Sequence, residues 1–148
     1  MHELFAAIQQ SSLSVWMREA PYAYFVALIF HAWGMAFLIG GGILVTLRVL
    51  GLGRGTALEK FRGFFPVMWM GAAMAIVSGL ALLVAYPAKA LTNPVFALKL
   101  SCLIAVALLM RKVLRGARMT AAIALALWLA VVVAGKLLLY TYSIELVN

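Results

Sequence analysis

Aspartate is missing from this sequence, and acidic side chains of any kind are scarce. The 148 residues hold four of them, all glutamate. Carboxylate-rich sites for Ca²⁺ or Mg²⁺ need several such oxygens close together, so the sequence argues against them. A single cysteine, Cys102, excludes an internal disulfide and a cysteine-based zinc or iron–sulfur site.

Charged residues are also few, and apolar residues take their place. Only 11% of the residues are charged and 67% are hydrophobic, with a mean hydropathy of +1.11. A soluble domain is about half apolar and about one quarter charged. The composition predicts an integral membrane protein of one domain, 1–148, whose first partner is the lipid bilayer. The net charge of +8 lies in short loops between apolar runs, so it indicates topology and no nucleic-acid partner.

Four apolar runs are long enough to cross a membrane, which takes about 20 residues. The predicted spans are 22–47, 64–86, 95–114 and 119–142. Residues 3–17 are too polar to span, and they predict an amphipathic helix in the interface. Its apolar stripe would be Leu4, Phe5, Ile8, Ser12, Val15 and Trp16; the alternative is a frayed N-terminus. The predicted fold is an all-α four-helix membrane bundle with an N-terminal interfacial helix.

The basic residues predict which ends of the spans lie together. Eight of the twelve fall in two loops on one face: Arg48, Arg54, Lys60, Arg62, Arg111, Lys112, Arg115 and Arg118. The positive-inside rule places this face in the cytoplasm and both termini outside. All five tyrosines fall near the predicted outer ends, as an interfacial aromatic belt would place them: Tyr22, Tyr24, Tyr86, Tyr140 and Tyr142.

His31 is the one residue of acidic or basic type in the first span, and an imidazole inside a bilayer marks a functional-site hypothesis. It lies about 15 Å from the outer end at 1.5 Å per residue, and Met74 of the second span lies at nearly the same depth. Lys99 is about one turn inside the outer end of the third span, and Lys136 about one and a half turns inside that of the fourth.

These positions suit haem, which is flat and apolar with two carboxylates on one edge, and whose iron accepts a histidine nitrogen. We therefore predict that His31 is an axial ligand of haem b and that Lys99 and Lys136 face the propionates. Met74, or a group from a second chain, would complete the iron. Another assignment makes Lys99 or Lys136 an iron ligand or a proton carrier.

Each of these residues also has a purely structural interpretation. Lysines near a helix end extend to the headgroups. His31 can bond to a backbone carbonyl or to Ser78, and Met74 can be core filler. The small residues of the first two spans also have two interpretations. They let the helices pack closely, or, near His31, they make room for a flat cofactor. They are Gly71, Ala75 and Gly79 in the second span and Gly34, Gly41 and Gly42 in the first.

Several segments resemble a family of small four-span bacterial membrane proteins of unassigned function: 13–18 (LSVWMR), 30–35 (FHAWGM), 47–51 (LRVLG), 77–79 (VSG) and 93–100 (NPVFALKL). In outline the chain is also similar to copper-resistance D-type domains and to the haem-containing membrane protoporphyrinogen oxidase family. These share a histidine in an early helix and a lysine entering a later one. The resemblance implies a bacterial inner-membrane protein with periplasmic termini, in which His31 and Lys99 are the residues carried over.

The predicted function is that of a membrane haem b protein that transfers electrons or serves as a subunit of a redox complex. With one histidine in the spans, bis-histidine ligation would require a homodimer or another subunit. The alternatives are a cofactor-free accessory or assembly subunit of a membrane complex and, ranked last, a copper-handling or transport protein. No general acid–base pair is visible in the spans, so whether the protein is an enzyme is left open.

Overall fold

The described chain is helical. The computed structural model describes residues 2–52, 55 and 58–144, and no strand occurs within these ranges. The predicted all-α fold class is confirmed. The helices, in chain order, are α1 His2–Gln9, α2 Ser12–Glu19, α3 Ala23–Leu50, a 3₁₀ helix Leu58–Phe64, α4 Phe65–Ala85, α5 Pro87–Leu91, α6 Pro94–Leu114 and α7 Arg118–Ile144.

Four of these helices, α3, α4, α6 and α7, are long and apolar enough to cross a membrane. The predicted spans start and end within about three residues of them. Their surfaces carry large apolar side chains, such as Trp69 at 75% exposure and Leu108 at 72%. A water-facing surface does not carry so many exposed apolar residues on every long helix, whereas a lipid-facing surface does. A multi-pass membrane helical bundle is the architecture that fits.

The chain divides into two compact units. The first comprises 1–41 and 64–92, and the second comprises 42–63 and 93–148. The first unit therefore holds α1, α2, the first part of α3, α4 and α5. The second holds the last turns of α3, most of the 3₁₀ helix, α6 and α7.

The N-terminal segment forms two short helices in place of the single one predicted over 3–17. The break falls at Ser11, whose side chain caps α2 by accepting the Ser14 backbone N–H. The buried positions of α2 are Ser14 and Met17, whereas Trp16 of the predicted stripe is 58% exposed. The difference arises because α2 packs on α4, where polar groups at the helix end are better partners for Ser14 than lipid is.

Within the first unit, α3 and α4 cross at a pair of glycines. A Cβ on Gly34 would lie 2.7 Å from the Gly71 carbonyl oxygen, and one on Gly71 would lie 2.8 Å from that of Gly34. Only residues without a side chain permit this approach of two backbones. The small-residue face predicted for the second span is therefore a helix-packing face, and the space beside Gly34 is filled by α4 itself.

In the second unit, α6 and α7 pack along each other as a helical hairpin joined by residues 115–117. The Trp128 indole of α7 is 2% exposed and lies against Gly42, the first residue of this unit, where any Cβ would overlap the ring. Gly41 and Gly42 thus serve packing, the former against Met68 in the first unit. Cys102 is buried, as expected of a small apolar residue.

Some residues used for the sequence-based predictions lie outside the described part of the chain. They are the whole of Arg54 and the side chains of Leu4, Arg62 and Tyr142. Among the described tyrosines, Tyr24 and Tyr86 meet edge to face with ring centroids 5.6 Å apart, at the start of α3 and the end of α4. This contact fits an aromatic belt at that end of the first unit.

Candidate functional site

His31 lies on the face of α3 that packs against α4, and its ring is tied to that helix. The Nδ1 atom is 3.0 Å from the backbone carbonyl oxygen of Ala75 and 3.3 Å from the Ser78 hydroxyl oxygen. The side chain is half-buried. The structural alternative given by the sequence, in which His31 bonds a carbonyl or Ser78, is thereby confirmed, because it does both.

The carbonyl contact determines where the imidazole carries its proton. A carbonyl oxygen only accepts hydrogen bonds, so Nδ1 must donate to Ala75. In the neutral ring the lone pair then resides on Nε2. Histidines that bind metals have this arrangement, since a hydrogen bond from one ring nitrogen to a carbonyl orients the other toward the metal. In the neutral ring, the contact therefore makes Nε2 the nitrogen that accepts a bond.

Two further residues hold the ring in place. The Ser78 hydroxyl donates its hydrogen to the Met74 carbonyl oxygen. The lone pairs of the Ser78 oxygen can then accept a hydrogen bond from His31 Nδ1–H. A Cβ on Gly79 would lie 3.1 Å from His31 Cε1 and 3.3 Å from Nδ1, so the ring rests on the glycine. Ala75 and Gly79 thus contact His31 in addition to packing the helices. The Ala75 carbonyl accepts the hydrogen bond of the ring, and Gly79 leaves room for the ring beside α4.

Met74 is close to His31 along α4 but belongs to a different surface. The predicted similarity of depth is confirmed to within about one turn, because His31 bonds the residue next to Met74. Met74 lines an open apolar groove together with Phe30 and Ser78, and in the described part of the chain His31 is not in that wall. The role of Met74 as an iron ligand stays a prediction.

The two lysines belong to the second unit. Lys99 of α6 is half-buried, and its Nζ atom would lie 3.9 Å from a Cβ on Gly135 of α7. Its ammonium group is thus placed against the neighbouring helix. Lys136 is exposed, as the interpretation of a lysine that extends to the headgroups requires. The role of either lysine toward a haem bound at His31 stays a prediction.

Haem is the metal group considered for His31, because its porphyrin supplies most of the ligands of the iron. Within the described residues there is no group of three or more His, Cys, Asp or Glu side chains that could hold an ion. A porphyrin supplies its iron with four nitrogens and asks the protein for one or two axial donors. His31 is the donor predicted for one axial position, and its Nδ1–H is directed to Ala75. The second donor, Met74 or a group from another chain, stays a prediction.

Sequence reasoning missed the polar contact at the end of α4. Arg18 of α2 donates from Nη1 to the Ala85 carbonyl oxygen at 3.0 Å and to the Ser14 hydroxyl at 2.6 Å. Ser14 and Arg18 are four residues apart, so they share a helix face, and that spacing was the available signal. A cation at a helix C-terminus also interacts favourably with the helix dipole. Only the fold shows which helix end receives them.

Comparison of the chain with protein-family models, with curated proteins and with solved structures finds no match in any of the three.

Proposed function

We propose that the protein is a membrane-embedded haem b-binding protein that acts in electron transfer or as a subunit of a redox complex, with His31 as an axial ligand. The single observation that carries the proposal is the contact between His31 Nδ1 and the Ala75 carbonyl oxygen at 3.0 Å. When the imidazole is neutral, this contact leaves the lone pair on Nε2, in a helix long and apolar enough to span a membrane.

Each residue of the site has one task in this proposal. His31 binds the iron through Nε2, Ala75 and Ser78 hold the ring and its proton, and Gly79 leaves space for the ring. Bound haem supplies one-electron redox chemistry at its iron. Lys99 and Lys136 remain the proposed partners of the propionates, as the sequence predicted.

The test is the reduced-minus-oxidised absorption spectrum of the protein purified in detergent from cells with ample haem. We expect a haem b spectrum that is lost or altered in His31→Ala and unchanged in His2→Ala, the other histidine of the sequence. Lys99→Gln should weaken haem retention without changing the axial ligand signature. A wild-type protein that stays colourless under these conditions would refute the proposal.

The second candidate is a cofactor-free accessory subunit, and a specific observation favours it too. The same contacts of His31 with Ala75 and Ser78 tie α3 to α4 and satisfy a polar ring that would otherwise face lipid. A histidine of this kind needs no iron. In that case His31→Ala would lower the stability of the colourless protein, and the search would turn to the complex that contains it.

A further inference from the structure

An open apolar groove lies in the first unit, between α2, α3 and α4. Its volume is about 510 Å³. Ten of its eleven lining residues are apolar, and the remaining one, Ser78, already donates its hydroxyl hydrogen to Met74. The wall is formed by Trp16, Met17, Ala23, Val26, Ala27, Phe30, Ala73, Met74, Val77, Ser78 and Ala81. Such a wall suits hydrocarbon and offers little to a polar ligand.

The groove has the length and the direction of a lipid chain. Along α4 its wall extends from Ala73 to Ala81, which is about 12 Å of helix rise. One leaflet of a bilayer contributes about 15 Å of hydrocarbon. Because α3 and α4 are membrane-spanning helices by length and composition, the groove follows the direction in which acyl chains lie.

A positive charge is held at one end of this groove. Arg18 follows the lining residues Trp16 and Met17, and it bonds the carbonyl of Ala85, one turn of α4 beyond Ala81. The guanidinium also bonds Ser14 and the Gln9 carbonyl oxygen, so all its partners are neutral. Within the described part of the chain, three of its five N–H donors are used in this way and no carboxylate pairs with it.

Among the side chains that the structure describes, no carboxylate neutralises Arg18. Glu19 is exposed and forms no ion pair with it. A fixed guanidinium beside an apolar groove is complementary to a molecule with an anionic head and a long apolar tail. Phosphate oxygens accept bidentate hydrogen bonds from arginine, which makes them a fitting partner for the remaining donors.

We propose that the first unit binds one anionic phospholipid, with its phosphate at Arg18 and one acyl chain in the groove. The site is separate from the proposed haem ligand and does not depend on it. The proposed ligand is a lipid of the bilayer, because the groove opens along helices that are long and apolar enough to span a membrane. A neutral lipid would fill the groove equally well but would not use the charge.

The test uses Trp16, a wall residue, as a fluorescent reporter. Trp33→Phe and Trp69→Phe leave Trp16 and the buried Trp128, and a further Trp16→Phe variant supplies the background. The protein is placed in phosphatidylcholine nanodiscs that contain a small fraction of phosphatidylglycerol or phosphatidylcholine with brominated chains. We expect brominated phosphatidylglycerol to quench Trp16 with about fivefold higher apparent affinity, the preference of one basic side chain at a lipid surface.

Two variants and one control reporter separate this site from general contact with lipid. Arg18→Gln should abolish the preference for phosphatidylglycerol. Ala73→Phe, at an exposed wall position, should fill the groove and reduce quenching by both lipids. Ile76→Phe, equally exposed on α4 but outside the wall, should change nothing. A reporter that keeps Trp69 in place of Trp16 should show no preference between the lipids.

The outcomes decide the proposal in either direction. Equal quenching of Trp16 by the two brominated lipids would overturn it, as would a preference for phosphatidylglycerol that survives in folded Arg18→Gln. If Arg18→Gln does not fold, Ala73→Phe decides, since it leaves every bond of Arg18 intact. Selective quenching that is lost in Ala73→Phe and retained in Ile76→Phe would establish the site.

Discussion

At the scale of single residues, the structure shows how one imidazole is held between two helices. His31 is placed by a carbonyl, a hydroxyl and a glycine of one neighbouring helix. The carbonyl decides the tautomer, because it cannot donate a hydrogen bond. Ser78 and Gly79 then limit how far the ring can turn. In the proposed haem site, the coordinating nitrogen would thus be selected by these contacts, as hydrogen bonds from the other ring nitrogen orient histidines toward metals.

The tautomer can be measured without any cofactor. In haem-free protein with His2→Ala and ¹⁵N-labelled histidine, NMR should show a protonated Nδ1 and an unprotonated Nε2 at His31. Gly79→Ala should shift the Nδ1 resonance, because the new Cβ would approach the ring at 3.1 Å. Leu80→Ala, exposed and adjacent in sequence, is the matched control and should leave it unchanged. A proton on Nε2 would contradict the proposed role of the Ala75 carbonyl.

At the scale of elements, the first unit depends on the crossing of α3 and α4. The two backbones approach so closely at Gly34 and Gly71 that each would lie under 3 Å from a Cβ on the other. In lipid, helices associate through van der Waals packing and interhelical hydrogen bonds, and small residues make both possible. The crossing also sets the distance at which His31 meets Ala75, so packing and site are parts of one arrangement.

The same substitution at two glycines of α3 tests this crossing. Gly34→Ala should destabilise the protein by about 3 kcal/mol, because its Cβ meets backbone that cannot move aside. Gly40→Ala meets no atom within 4 Å and should be neutral or raise stability by up to about 1 kcal/mol through helix propensity. Unfolding in mixed detergent micelles titrated with a denaturing detergent provides the measurement. Equal effects of the two substitutions would contradict the close crossing.

At the scale of the whole molecule, the distribution of charge predicts which way the helices cross a membrane. The exposed cations Arg111, Lys112, Arg115 and Arg118 surround the link between α6 and α7, and this link contains no carboxylate. The opposite ends of α4 and α6 carry α5 and the tyrosine contact. We propose that the cationic end faces the cytoplasm, since basic loops resist translocation.

Single cysteines report this orientation. In a Cys102→Ser background, Thr92→Cys and Met119→Cys place one thiol before α6 and one just after it, at exposed positions. A membrane-impermeant maleimide should label Thr92→Cys in right-side-out vesicles and Met119→Cys only in inverted ones. The reverse pattern would overturn the orientation, and labelling of both from one side would overturn the spanning of α6.

Much of this protein was determined by its sequence alone. The runs of apolar residues specified four spanning helices to within a few residues, because backbone in lipid must bond to itself and a helix does so locally. Composition likewise indicated the bilayer, and the isolation of His31 among apolar residues marked it as the candidate site. Its two structural partners, a carbonyl and Ser78, were foreseeable because a polar ring in a bilayer must bond to something.

Only the tertiary structure determined which residues of one helix contact which residues of another. Nothing local distinguishes Gly34, pressed against Gly71, from Gly40, which faces open space. In the same way, the apolar stripe predicted for 3–17 gave no indication that Ser14 and Arg18 of α2 bond the end of α4. Helix formation depends on neighbours along the chain, but the contacts of Ser14 and Arg18 with Ala85 join residues about seventy positions apart, and only the folded packing brings them together.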